Sequence, residues 1–288
     1  MTWLLVWALG RVLPAPVTRR LIDTLIPHAL KRGIIDGQAL RRNLRAVAPR
    51  LSDAELDALL LANVRSYGRY WAELFELASR RRQLLIETVI VHQSSHLQDA
   101  LARGRGVVLA LPHMANWDLA GAWMAQYQPV VTVAERVQPA LLFRAFTRLR
   151  ANLGMTVVPL DSGASALSRL RQALDAQAVV CLVADRVIPG STGVPVRFAG
   201  GTASLPAGPA LLAYQTGAPL IPVSMYYEGR AMRIHFHEPV AVDSSAPRRA
   251  AVGAATQSLA DAFSEMLAEH PVDWRALQPV WEQVPAHD

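Results

Sequence analysis

From residue 107 onward, short apolar runs rich in β-branched residues alternate with stretches of helical period. That alternation restricts the fold more than any other feature of the chain. Residues 107–110, 130–133, 156–160, 178–184, 220–225 and 232–236 read as strands. Residues 139–153, 165–176, 206–216 and 250–269 read as helices, with Pro139 in one first turn and Gly154 and Gly217 as stops. The expected fold is therefore α/β, with a mostly parallel central sheet and helices on both faces. No linker is long enough to divide the 288 residues, so one domain is expected.

Ahead of this core, Ser52-Asp53-Ala54-Glu55 forms a capping box. Leu56, Leu59, Leu60, Asn63, Tyr67, Tyr70, Trp71, Leu74 and Phe75 follow at helical spacing and predict a long helix buried on one side. Core packing is the expected task of most of these side chains, with Tyr67, Tyr70 and Trp71 also suited to a lipid groove. Residues 95–103 read as a short helix leading into the first core strand. The division expected is a helical part over 1–80 and an α/β core over 81–288.

Polar groups recur where the strands stop. His113, Glu135-Arg136, Asp161 and Asp185-Arg186 each follow the carboxyl end of a predicted strand, the edge where open α/β sheets bind ligands. The densest case is residues 107–118, VVLALPHMANWD. Pro112 ends the strand for want of an N–H, Asn116 is placed to cap a helix, and Asp118 falls in that helix's first turn, where an acid suits the dipole. On one regular helix His113 and Asp118 would point about 140° apart. They can converge only if His113 lies in the turn before the helix. A histidine beside a carboxylate is a general base at neutral pH. Asp118 and Asp185 are both candidates for that carboxylate. Asp118 has a second possible task in bonding helix N–H groups, whereas Asp185, ending a strand, has no evident local one. Arg150 lies near the edge of the buried face formed by Leu142, Phe146, Leu149 and Leu153, so it can either snorkel or reach the sheet edge and hold a phosphate.

Charge adds a second theme. Residues 1–50 carry nine basic and two acidic residues, a balance of +7 against +6 for the whole chain. Arg11, Arg19, Arg20, Lys31 and Arg32 interleave there with Trp3, Leu4, Leu5, Trp7, Leu21, Leu25 and Leu30. This predicts amphipathic helices lying on an anionic membrane surface. Solvated arginines on a helical cap would look the same. No apolar run approaches the ~20 residues needed to span a bilayer. No nucleic-acid-binding motif or stacking platform is present, so nucleic acid is not an expected partner. Cys181, the one cysteine, excludes an internal disulfide and suggests a reducing compartment. His92 and His96 stand four apart without an acidic ligand, so no metal is expected.

The block GRGVVLALPHMANWDLAGAW resembles the His-x4-Asp block of the bacterial lysophospholipid and lipid A-type acyltransferases. Among these it is most similar to the actinobacterial phosphatidylinositol mannoside acyltransferases. VAERVQPALLFRAFTRLRANLGMTVVPL, CLVADR, RFAGGTASLPAGPALLAYQTGAPLIPV and HPVDWRALQPVWE extend the likeness in order from about Leu44 to Trp281. The resemblance implies transfer of a fatty acyl chain, palmitoyl being expected, from acyl-CoA to a mannose hydroxyl of a membrane glycolipid. It assigns His113 as catalytic base, Asp118 as motif acid and Asp185 as the acid that positions the histidine. Glu135, Arg136, Arg150 and Arg186 match substrate-side positions. Trp117, beside the catalytic turn, is suited to lining the acyl groove. Acyl-CoA enters as a co-substrate and no cofactor is implied. The expected location is the cytoplasmic face of the plasma membrane, peripherally bound. Where the family often continues with Arg-Asp-Leu and a hydroxyl residue, this chain reads Arg186-Val187-Ile188-Pro189-Gly190.

The chemistry is coherent without a serine or cysteine nucleophile, and the Gly-x-Ser-x-Gly elbow of the α/β-hydrolases is absent. Three alternatives stay open at this point: a lauroyl or myristoyl transferase of lipid A type fed by acyl carrier protein, a thioesterase, and a non-catalytic lipid-binding protein.

Overall fold

The computed structural model describes residues 15–34, 37–136, 139–160, 163–188 and 192–281. The expectations for Trp3, Leu4, Leu5, Trp7, Arg11 and Asp161 lie outside the described residues. The chain opens with helices α1 (Ala15–Lys31), α2 (Gly37–Val47), α3 (Asp53–Leu77) and α4 (Arg82–Ile86). The strands are β1 (Val89–His92), β2 (Val107–Leu111), β3 (Val130–Ala134), β4 (Met155–Pro159), β5 (Val179–Val183), β6 (Val194–Phe198), β7 (Gly201–Leu205), β8 (Leu220–Glu228) and β9 (Ala231–Phe236). The remaining helices are α5 (Ser94–Ala102), α6 (Trp117–Met124), α7 (Ala140–Asn152), α8 (Gly163–Asp175), α9 (Gly208–Thr216) and α10 (Arg248–Glu269).

Seven strands form one sheet in the order β1-β9-β8-β2-β5-β3-β4. β8, β2, β5, β3 and β4 run parallel, as the alternation predicts. The other edge departs from it. β8 and β9 pair antiparallel, with Glu228 opposite Ala231. Only Gly229-Arg230 separates these strands, and a two-residue turn can join only antiparallel neighbours. Gly229 sits at φ +56 to make it. β1 then pairs parallel to β9. Outside the sheet, β6 and β7 make a hairpin whose central residues, Ala199 and Gly200, both have positive φ, as a type I′ turn demands.

β2 lies in the middle and is buried along its whole length. Its alternate side chains enter two different cores. Val108 and Ala110 pack with α8, α9 and α10. Val107, Leu109 and Leu111 pack with α3 to α7. The strand therefore needs apolar residues at every position, which is why it reads as a continuous run.

The capping box at Ser52 is formed: the Glu55 backbone N–H donates to Ser52 Oγ, and the Ser52 N–H donates to Glu55 Oε2 at 2.7 Å. α1 packs its Ile22 and Ile26 on Gly68 of α3, where a Cβ would meet Ile22 at 2.7 Å. Its opposite side leaves Val17, Leu21 and Leu25 exposed at i, i+4 and i+8, by 43, 45 and 61%. None of the helices among the described residues is long and apolar enough to cross a membrane.

Candidate active site

The turn after β2 is built by the far end of the chain. Asn116 caps α6, its Oδ1 accepting from Leu119 N–H at 3.0 Å. Its amide in turn donates to Glu73 Oε2, a fully buried carboxylate that also accepts from Arg69 and the Tyr227 hydroxyl. Ala115 is held at φ +39, uncommon for a residue with a Cβ. The segment after α10 supports it: Ala115 N–H donates to Asp273 O, Arg275 N–H donates to His113 O at 2.8 Å, and Met114 bridges Trp274. Asn63 and Asn43 fasten that segment to α3 and α2 through its carbonyls.

His113 thus sits before the helix, and the structure brings it to Asp185, just past β5. His113 Nδ1 lies 2.5 Å from Asp185 Oδ1, and the His113 backbone N–H donates to Asp185 Oδ2 at 3.0 Å. The Trp274 indole donates to the same Oδ2 at 2.8 Å. Burial pushes the Asp185 carboxyl up, but the His113 charge and the donors from His113 and Trp274 outweigh it and hold it below the usual carboxylate range. With Nδ1 engaged, Nε2 has no hydrogen-bond partner among the described residues. Asp185 therefore has a structural task that its strand-end position did not reveal, since it ties three segments together.

Asp118 does not share the histidine. Its carboxylate is buried and accepts from Arg150 Nε at 2.6 Å and from the Tyr70 hydroxyl at 3.2 Å. The helix N–H bonding expected of it falls to Asn116 instead. Arg150 accordingly neither snorkels nor stands free for a phosphate: it is ion-paired. Burial would lower its pKa, and Asp118 more than reverses that, keeping it charged. Tyr70 lies in the core and packs against Trp117 with ring centroids 4.9 Å apart and planes tilted by 32°. Trp117 presents its ring edge-on to His113 at 5.4 Å.

The other expected site residues make different contacts. Glu135 and Arg136 follow β3 and are exposed, with the Arg136 guanidinium over the Phe143 ring. Arg186, half-buried, donates to Gln278. None of the three bonds to the His113–Asp185 pair among the described residues. His92 and His96 bond Arg233 and the Phe236 carbonyl. No metal-binding cluster occurs among the described residues.

Beside the pair, an apolar cavity runs between α6 and the sheet, lined by Leu109, Leu111, Trp117, Gly121, Met155 and Val223, among others. Gly121 lets Met155 pack closely against α6, because a Cβ there would meet Met155 Sδ at 2.4 Å. Cys181 also lines the cavity, and burial pushes its thiol up to about 12, so it stays protonated and unreactive. The contributions of Trp274, Arg275 and Glu73 were not visible as local motifs. The quoted block HPVDWRALQPVWE was the one trace of Trp274 and Arg275 in the sequence.

The family model described as bacterial lipid A biosynthesis acyltransferase matches residues 1–283. The chain is 39% identical over 277 residues to the phosphatidylinositol mannoside acyltransferase of Mycolicibacterium smegmatis, covering 96% of this chain and 88% of that protein. It is 39% identical over 279 residues to the protein of the same name from Mycobacterium tuberculosis strain CDC 1551, covering 96% and 86%.

Proposed function

The chain belongs to the bacterial lipid A biosynthesis acyltransferase family, and from that membership we propose that it moves a fatty acyl chain, palmitoyl in the first instance, from acyl-CoA to a mannose hydroxyl of a phosphatidylinositol mannoside. The observation that carries the mechanism is the 2.5 Å contact between His113 Nδ1 and Asp185 beside an apolar cavity. Asp185 fixes the tautomer with Nε2 unprotonated. Nε2 takes the hydroxyl proton as the oxygen attacks the thioester carbonyl, and Asp185 stabilises the resulting imidazolium. The imidazolium then protonates the departing thiolate. The acyl chain enters the cavity past Trp117, where each buried methylene contributes about 0.8 kcal/mol. Asp118 and Arg150 act as one unit that shapes the cavity's polar end. The names borne by the 39% identical relatives support the mannosylated acceptor.

The test is purified protein incubated with palmitoyl-CoA and phosphatidylinositol mannoside, with products read by mass spectrometry. One added palmitoyl group on the mannolipid is expected. Acylation of a lipid A precursor alone, or use of acyl carrier protein alone as donor, would overturn the substrate assignment. Fatty acid release that acceptor does not suppress would point to a thioesterase.

The same reading places the protein on the cytoplasmic face of the plasma membrane, held by α1. Val17, Leu21 and Leu25 form an outward apolar stripe, with Arg20 exposed beside it. Basic residues near an anionic surface contribute about 1 kcal/mol each. Sedimentation with vesicles containing phosphatidylinositol should therefore weaken as salt rises, and weaken further when Leu21 and Leu25 are changed to Glu. Sedimentation indifferent to both changes would make α1 a cap on α3 and nothing more.

A further inference from the structure

Arg275 is 7% exposed, and its Nε and both terminal nitrogens are buried without a hydrogen-bond partner among the described residues. The nearby ion pairs are His113 with Asp185, Arg150 with Asp118, and Arg69 with Glu73, while the Asp273 carboxylate accepts from Ser66 and the Tyr227 N–H and attracts Arg275 only from beyond ion-pair distance. Arg275 has no acid within ion-pair distance among the described residues. Its guanidinium carbon instead lies 4.5 Å from the Tyr70 ring centroid, 5.3 Å from Trp117 and 6.0 Å from Tyr67. Contact with ring faces offsets only part of the cost of drying a cation. The remainder is a set of idle, oriented donors in a water-poor wall.

Their position relates them to the reaction. The Arg275 backbone N–H holds the His113 carbonyl at 2.8 Å, so one residue fixes both the catalytic turn and the guanidinium. Trp117 neighbours both groups, its ring at a right angle to that of His113 and 5.3 Å from the Arg275 guanidinium carbon. Attack on a thioester turns a neutral carbonyl oxygen into an oxyanion close to the base. Donors already desolvated and without a partner favour such a charge.

We propose that Arg275 receives this oxyanion, a role that rests on the acyl-transfer reading above. As the acceptor oxygen–carbon bond forms, its proton passes to His113 Nε2 and the carbonyl π electrons move to the oxygen facing Arg275. On collapse those electrons return, the carbon–sulfur bond breaks, and the thiolate takes the proton from His113. Nothing else is consumed.

The test uses Arg275→Met and Arg275→Lys in the full chain. Arg275→Met should lower kcat by about 10²–10³-fold with KM for acyl-CoA nearly constant, and keep its melting temperature, since an unpaired buried charge has been removed. Arg275→Lys should recover part of kcat, and added guanidinium ion should partly rescue Arg275→Ala. A binding arm needs no turnover: the parent should bind dodecanoate more tightly than dodecanol, and Arg275→Met should abolish that preference. A parent without the preference, or a folded Arg275→Met retaining kcat within threefold, overturns the proposal. Should the variant not fold, the parent's preference and Arg275→Lys decide. A parent that discriminates the two probes but acylates no acceptor would leave Arg275 an anion site and remove the acyl-transfer reading instead.

Discussion

His113→Ala is expected to reduce acyl transfer by about 10²–10⁴-fold, the usual worth of a positioned base. The fold should survive. Asp185, left without the imidazole, keeps the His113 backbone N–H and the Trp274 indole as donors on Oδ2. The loss in stability should therefore stay at about 1.5–3 kcal/mol, that of one hydrogen bond to a charged group. Asp185→Asn should be as damaging to kcat by another route. Its amide would donate to Nδ1 and place the imidazole proton on Nε2, where the base must be unprotonated. It would also weaken the anchor for Trp274, so unlike His113→Ala it should lower the urea midpoint clearly. Steady-state kcat and urea unfolding on both variants provide the check. Near-parental turnover by His113→Ala would remove it from the mechanism.

The largest effect on stability is expected from Asp118→Ala. The variant strands the Arg150 guanidinium, 15% exposed, with no carboxylate, and deprives the Tyr70 hydroxyl of its acceptor. Breaking a buried ion pair from one side costs about 3–5 kcal/mol, a large share of the 5–15 kcal/mol that holds a typical domain together. The double variant Asp118→Ala, Arg150→Met should recover most of that loss, because the stranded charge is gone and an apolar stem remains. Calorimetric melting of the single and double variants tests it. A double variant no more stable than Asp118→Ala would mean that the pair's net attraction, and not the stranded charge, carries the energy.

What the sequence made legible was local. Residues 107–118 disclosed a strand, a stop, a histidine and a cap because each signal lies within a few residues of the next. The C-terminal halves of the parallel strands were legible for the same reason. The true partner of Asp118 was not, since Arg150 lies 32 residues on and its angular position on α7 fitted several fates. Trp274 escaped notice because its bond to Asp185 spans 89 residues and leaves no periodic mark. β1 is four residues long, and β6–β7 depends on a turn of the ordinary-looking pair Ala199-Gly200. Glu135, Arg136 and Arg186 follow strand ends as Asp185 does, yet among the described residues only Asp185 bonds to His113.

The bracing of the His113 turn by the segment after α10 also bears on the order in which the chain can fold. Its bonds to Asn63, Ser66 and Asp185 span 211, 207 and 89 residues. Contacts this distant must overcome loop-closure entropy before they repay it, and so tend to form late. Neighbouring strands and helices can assemble earlier, with an apolar groove but no oriented base. Such an intermediate could hold a fatty chain yet not spend a thioester. Competence would arrive only with the last long-range closure, in one cooperative step.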